Sequence, residues 1–253
     1  MRLPHFIIAG APRSQTSRLW HMLMRHPDVA MAALRPEPKF FLVDESYQQG
    51  LEYYSKQWFS ALPKATVLGE KSTNYLESAK AAERIAVSLP DVKLIFILRD
   101  PVTRAFSNYR WSRQNGMEQA SFSQALAQEE ARESELDPKL RFARPHAYYS
   151  RGLYAELLTP YFERFKREQI RILFYEQMLT DPTSMLCTVH RFLELPERPG
   201  DAMDLGVVNP SQDTGPDSLQ LDLASEQQLR QRYRTPNHAL RQLLQLDTLP
   251  WPQ

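Results

Sequence analysis

The chain is nearly devoid of cysteine. Cys187 is the single one among 253 residues, which excludes an intrachain disulfide and leaves no thiolate cluster for zinc. Its setting, "SMLCTVHRFL", is apolar and helical in pattern, so the thiol reads as a core group rather than a nucleophile. Long apolar runs are missing as well. No segment approaches the ~18 apolar residues that mark a bilayer span, and "FIIAG" begins at Phe6, leaving no room for a leader ahead of it. A cytoplasmic protein without membrane attachment is the expectation. Charge of either sign is not in excess, with 31 Lys and Arg against 30 Asp and Glu and a net +1. Bulk electrostatics therefore give no case for nucleic acid or a membrane surface as partner. Oligomeric state is not legible. Glycine is scarce, at eight residues, so each position it occupies carries information.

Four short runs rich in apolar and β-branched residues read as strands, over 6–9, 66–68, 93–98 and 171–175. Helical periodicity fills 16–26, 74–89, 101–116, 150–165, 181–194 and 223–246. Alternation of this kind predicts an α/β fold, a parallel sheet flanked by helices, as a single domain over 1–253. Two stretches stand apart. Residues 117–148 turn from acidic to basic and aromatic, and read either as a lid or acceptor insertion or as a solvated helix and loop. Residues 196–222, rich in Pro, Gly and Asp, read as a long loop.

Gly10 ends the first strand, where a tight turn and a close ligand favour glycine. Ala11, Pro12, Arg13, Ser14, Gln15, Thr16 and Ser17 then lead into a helix. Free N–H groups and the positive dipole end make such a place an anion site. Arg13 adds fixed charge, and Ser14, Thr16 and Ser17 add hydroxyls. In the nucleotide-triphosphate loop G-x-x-x-x-G-K-[ST] a lysine reaches the outer phosphates. Counted from Gly10, Gln15 stands at the second glycine and Thr16 at that lysine. The loop therefore suits a shorter, less charged phosphate chain.

Two further segments bear on the same edge. "LIFILRDPVTRAFSNYRWSR" ends a buried strand at Arg99 and starts a helix carrying Ser107, a guanidinium and a hydroxyl suited to a second phosphate. Asp100 in the same segment reads alternatively as a metal-binding acid of a P-loop kinase. "LGEKSTNYL" places Glu70 and Lys71 after the second strand, where Glu70 is a candidate general base and the pair is otherwise a surface ion pair.

With these segments assembled, the chain resembles the sulfotransferases that use 3′-phosphoadenosine 5′-phosphosulfate (PAPS), and most closely the bacterial and heparan sulfate types. "GAPRSQTSRLWHMLMRHPDV" resembles their 5′-phosphosulfate loop, "RPEPKFF" the segment after it, and "GEKSTNYL" the glutamate-lysine-serine segment. "ILRDPVTRAFSNY" resembles the 3′-phosphate segment, and "SRGLYAELLTPYF" the later Arg-Gly-x-Tyr segment. The resemblance implies a P-loop type of nucleotide-binding fold and transfer of a sulfonate to a hydroxyl or amine, with 3′,5′-ADP as co-product and no metal. It implies Glu70 as base, with Arg13 and Lys71 stabilising charge. Loop residues 11–17, Arg99, Ser107, Arg151, Gly152 and Tyr154 would hold the nucleotide, and Lys39, Phe40 and Phe41 would border the acceptor. A small metabolite or natural product is the expected acceptor. Two departures stand out: Arg13 where many members have lysine, and Gln15 where glycine is usual. The second keeps open a nucleotide-binding homologue without transfer activity, beside the kinase alternative.

Overall fold

Strand formation follows from runs that are apolar on both faces, the mark of a parallel sheet covered on both sides. In the computed structural model, which describes residues 1–64, 67–137, 143–202 and 220–252, five strands form one sheet. They are β1 (Phe6–Gly10), β2 (Val29–Met31), β3 (Val67–Lys71), β4 (Lys93–Leu98) and β5 (Ile170–Phe174), in the order β2-β3-β1-β4-β5 and all parallel. The parallel α/β expectation holds. The sequence reading missed β2, and it ended β3 too early, because Gly69, Glu70 and Lys71 interrupt the apolar pattern. Thr66, where that strand was expected to begin, lies outside the described residues.

The helices among the described residues are α1 (Thr16–Leu23), α2 (Asp44–Tyr47), α3 (Gly50–Trp58), α4 (Ala79–Ser88), α5 (Pro101–Gln114), α6 (Phe122–Ala127), α7 (Glu129–Ser134), α8 (Tyr154–Phe162), α9 (Tyr175–Thr180), α10 (Pro182–Phe192) and α11 (Leu223–Leu244). Their starts are chemically marked. Asp100 and Asp181 cap α5 and α10 through side chains that accept from Val102 N and Ser184 N, each ahead of a proline in the first turn. The helix expected over 74–89 is broken. A 3₁₀ turn, Thr73–Glu77, precedes Ser78, whose hydroxyl caps α4 by accepting from Ala81 N. The break turns the helix face, so Ala81, not the expected Ala79, is buried. The helix expected over 150–165 likewise divides into a 3₁₀ turn, Ser150–Gly152, and α8.

The chain falls into two compact units. The first comprises the described residues of Met1–Leu98 and Leu158–Val208, the second those of Arg99–Leu157 and Asn209–Gln253. In the first unit Phe6, Ile8, Leu19, Met22, Ile95, Ile97 and Val189 pack one face of the sheet. In the second, Val102, Ala105, Tyr109, Phe122, Tyr148, Leu229 and Tyr233 form a separate core. Of the region 117–148, α6 and Tyr148 belong to that core, whereas 138–142 lie outside the described residues. So do 203–219 of the expected loop. Among the described residues no helix is long and apolar enough to cross a membrane.

Candidate active site

Between β1 and α1 the backbone turns through left-handed geometry twice, at Arg13 (φ 69°) and Gln15 (φ 60°). A glycine would adopt this freely at position 15; an L side chain there costs about 1–2 kcal/mol. Ala11 is fully buried and its N–H donates to Ile97 O at 2.9 Å, fixing the start of the loop to β4. Ser14 is fully buried, and its hydroxyl has no partner among the described residues. Buried hydroxyls are normally bonded. An anion on the N-terminus of α1, whose first turn holds no acid, fits that unmet hydroxyl.

Gly10 is glycine because of crowding. A Cβ there would lie 2.6 Å from Leu76 Cβ and 3.3 Å from the Thr73 carbonyl. The segment after β3 is thus pressed against the root of the loop. That segment is tied in turn to 37–41. Lys71 Nζ forms an ion pair with Glu37, the side chains 4% and 15% exposed. Thr73 donates to Glu37 from its N–H at 3.2 Å and its hydroxyl at 3.3 Å. Lys39 N–H donates to Ser72 Oγ at 2.9 Å, and Phe41 N–H to the Tyr75 hydroxyl at 3.3 Å. The result is a partly exposed carboxylate with its cation, near the root of the β1–α1 loop.

Glu70 is placed otherwise. Neighbouring residues of a strand face opposite sides, and while Lys71 meets Glu37, Glu70 is fully buried with no hydrogen-bond partner for either oxygen. Burial is the main cause that pushes its pKa up to about 8. The neighbouring hydroxyls of Tyr54 and Tyr75 and the charge of Lys71 pull it down, while the charge of Glu37 raises it further. An unpartnered carboxylate in such a place is held neutral.

In the second unit, Arg99 Nε donates to Thr103 Oγ1 at 3.1 Å, and the buried Tyr154 hydroxyl donates to the Arg99 carbonyl at 2.9 Å. Ser107 is half-buried on α5, next to Asn108, whose Oδ1 accepts from Arg151 Nη1 at 3.0 Å. Arg151 Nη2 also donates to the Ala143 carbonyl at 2.7 Å. Gly152 faces Pro101 and the Tyr233 hydroxyl so closely that no Cβ fits. Asp100 is engaged by Val102 N–H at 3.1 Å and by Arg230 at 3.3 Å, a helix cap in an ion pair. Among the described residues no group of three or more His, Cys, Asp or Glu is placed to hold a metal ion.

Comparison with known proteins bears on this geometry. The "Sulfotransferase domain" family model matches residues 3–207. The chain belongs to the sulfotransferase family. It is 33% identical over 194 residues to mouse heparan sulfate glucosamine 3-O-sulfotransferase 3B1, covering 77% of this chain and 47% of that protein. Against human heparan sulfate glucosamine 3-O-sulfotransferase 5 it is 30% identical over 200 residues, 78% of this chain and 55% of the other. The chain thus spans about half the length of these curated relatives. Among solved structures, a sulfotransferase from Alicyclobacillus acidocaldarius superposes with a TM-score of 0.78 at 25% identity, covering 98% of both chains. A mouse sulfotransferase complexed with PAP shares the fold, with a TM-score of 0.51 at 17% identity over 79% of this chain and 60% of that one.

Several residues expected at the site of this sulfotransferase domain are more deeply packed than the sequence suggests. Phe40 and Phe41 do not border an open cleft. They are 1% and 0% exposed, and Phe40 stacks on Tyr54 with centroids 4.4 Å apart. Glu70 is fully buried. Lys71 is 4% exposed and committed to Glu37. Pro12, Arg13, Gln15, Ser17 and Lys39 are half-buried. The residues missed are Glu37, which aligns Lys71 and Thr73, and Asn108, which holds Arg151. Glu37 carried one signal in the sequence, an acid set between Pro36 and Pro38.

Proposed function

We propose that this chain transfers a sulfonate from PAPS to a hydroxyl or amine, with Glu37 rather than Glu70 as proton acceptor. The observation that carries this is the partly exposed Glu37–Lys71 pair lying against a loop that lacks the triphosphate lysine and contains an unpartnered buried Ser14 hydroxyl. In this reading loop residues 11–17 hold the 5′-phosphosulfate through backbone N–H groups, the Ser14, Thr16 and Ser17 hydroxyls and Arg13. Arg99, Ser107, Arg151 and Gly152 hold the 3′-phosphate, and Tyr154 fixes the backbone of Arg99. Bound there, PAPS supplies the sulfonate, and 3′,5′-ADP is the co-product.

The protein's own part is proton removal and charge placement. A general base must touch the proton it takes. The Glu37 side chain is 15% exposed, is aligned by two donors of Thr73 and has a cation at contact. The guanidinium of Arg13 and the α1 N-terminus are suited to the negative charge that gathers on phosphate oxygens as the bond to sulfur breaks.

The acceptor class we assign is a small metabolite or natural product bearing a hydroxyl or amine. The hydroxyl of an amino sugar is the second class, favoured by the relatives that are glucosamine 3-O-sulfotransferases. The test is acceptor-dependent release of 3′,5′-ADP from PAPS across alcohols, amines and glucosaminyl oligosaccharides. Turnover with either class is the expected result and settles between them. Acceptor-dependent cleavage of ATP with Mg²⁺, with none of PAPS, contradicts the proposal and restores the kinase; nucleotide binding without turnover restores the inactive homologue.

A further inference from the structure

The strip 148–152, which carries Arg151 and Gly152, is gripped along its backbone by side chains from three other segments. Glu129, the first residue of α7, is 7% exposed and takes both of its adjacent amides: Tyr149 N–H donates to Oε2 at 2.6 Å and Ser150 N–H to Oε1 at 2.8 Å. From α11, the Tyr233 hydroxyl donates to the Tyr149 carbonyl at 2.7 Å. From α5, Arg104 Nη2 donates to the Tyr148 carbonyl. Arg104 is fully buried, and its Nε and Nη1 have no partner among the described residues. Its hydrogen bond goes to the strip, so the Tyr148 carbonyl is held by a buried cation.

This arrangement does more than hold a loop down. Two consecutive amides directed at one carboxylate fix the peptide planes on both sides of Tyr149, and the 3₁₀ turn Ser150–Gly152 starts from them. The direction in which Arg151 leaves the backbone is therefore set by Glu129, while the Tyr233 ring and Pro101 leave Gly152 no space in which to shift. Arg151 itself is 3% exposed, so its guanidinium has little freedom to compensate for a rotated backbone.

We infer that Glu129 is a positioning residue for nucleotide recognition: from the 117–148 region, and with Tyr233 on the other side of the strip, it aims Arg151 at the 3′-phosphate. The inference rests on the reading of Arg151 and Gly152 given under Proposed function. It gives that region a role in the donor site in addition to any contact with the acceptor. Glutamine at 129 offers one acceptor oxygen to two donors, so one amide loses its partner and the turn its direction.

The experiment compares 3′,5′-ADP with 5′-AMP, which differ only in the 3′-phosphate, by calorimetric titration of the full chain. The wild type is expected to prefer 3′,5′-ADP. In Glu129→Gln that preference falls about tenfold, as for one lost charge-assisted hydrogen bond, with 5′-AMP affinity unchanged. A merely structural role lowers the melting temperature or weakens both ligands alike, and does not move the ratio selectively. Tyr233→Phe, a milder change, is expected to reduce the ratio about threefold, and decides the matter if Glu129→Gln does not fold. A wild type that prefers 3′,5′-ADP, with the same ratio in the folded variants, overturns the inference and leaves the nucleotide reading intact. A wild type with no preference overturns the reading of Arg151 itself, and the inference with it.

Discussion

Glu37→Gln is expected to lower kcat for sulfonate transfer by about 10²–10⁴-fold, the usual worth of a general base, while nucleotide affinity holds within a few-fold. Glutamine keeps the size of the side chain and one oxygen for the Thr73 donors, but it takes up no proton at neutral pH. The change also leaves Lys71, 4% exposed, without its anion. Breaking a buried pair on one side costs about 3–5 kcal/mol, and the 15% exposure of Glu37 puts the cost here below that range. Turnover must therefore be measured on protein shown by its melting curve to be folded. A loss of less than about tenfold would remove Glu37 from the role, since a base contributes more than that.

Glu70→Gln should do the opposite: leave turnover within about tenfold of the wild type, well short of the loss of a base, and raise stability. The sign follows from the proton balance. The folded-state pKa of about 8 lies above the ordinary 4.5, so at pH values between them the folded chain holds a proton that the unfolded chain has released. Stability from this group is complete below about 4.5, declines as pH rises, and is lost above about 8. A gap of this size corresponds to a penalty on the order of 4–5 kcal/mol at the alkaline end. Glutamine is neutral throughout and escapes it. At pH 8 the variant should melt roughly 10 °C above the wild type, and near pH 4.5 the two should coincide. Turnover abolished by Glu70→Gln, with no gain in melting temperature, would return the base to Glu70 and refute the assignment to Glu37.

How far the fold could be read depended on the kind of signal. β1 and β4 were legible because each is a run of apolar residues buried on both faces. β2 has only three residues, Val29–Met31, and no turn residue marks it. β3 was cut short because its last two residues are Glu70 and Lys71, a charged pair that ends the apolar pattern and that the fold buries. The loop was legible down to Gln15, whose φ of 60° is the strain that a side chain at a usual glycine position implies. The proposed base was not. Assigning the role to Glu37 depends on its contact with Lys71, 34 residues apart, and on its being half-buried where Glu70 is fully buried. Neither fact leaves a trace in local pattern. Phe40 and Phe41 follow the same rule: an aromatic pair near a site motif is equally suited to a cleft or a core, and only the stacking on Tyr54 decides it.

In the proposed function the nucleotide is recognised by its 3′-phosphate. Thermal unfolding with 3′,5′-ADP, against 5′-ADP and ATP plus Mg²⁺, tests it most directly. Ligand at about 100 times its Kd adds about 2.7 kcal/mol, a rise of roughly 5–10 °C for a chain of this length. That rise is expected with 3′,5′-ADP, and little or none with the others. A rise with ATP and Mg²⁺ alone, or none with any of the three, would contradict it.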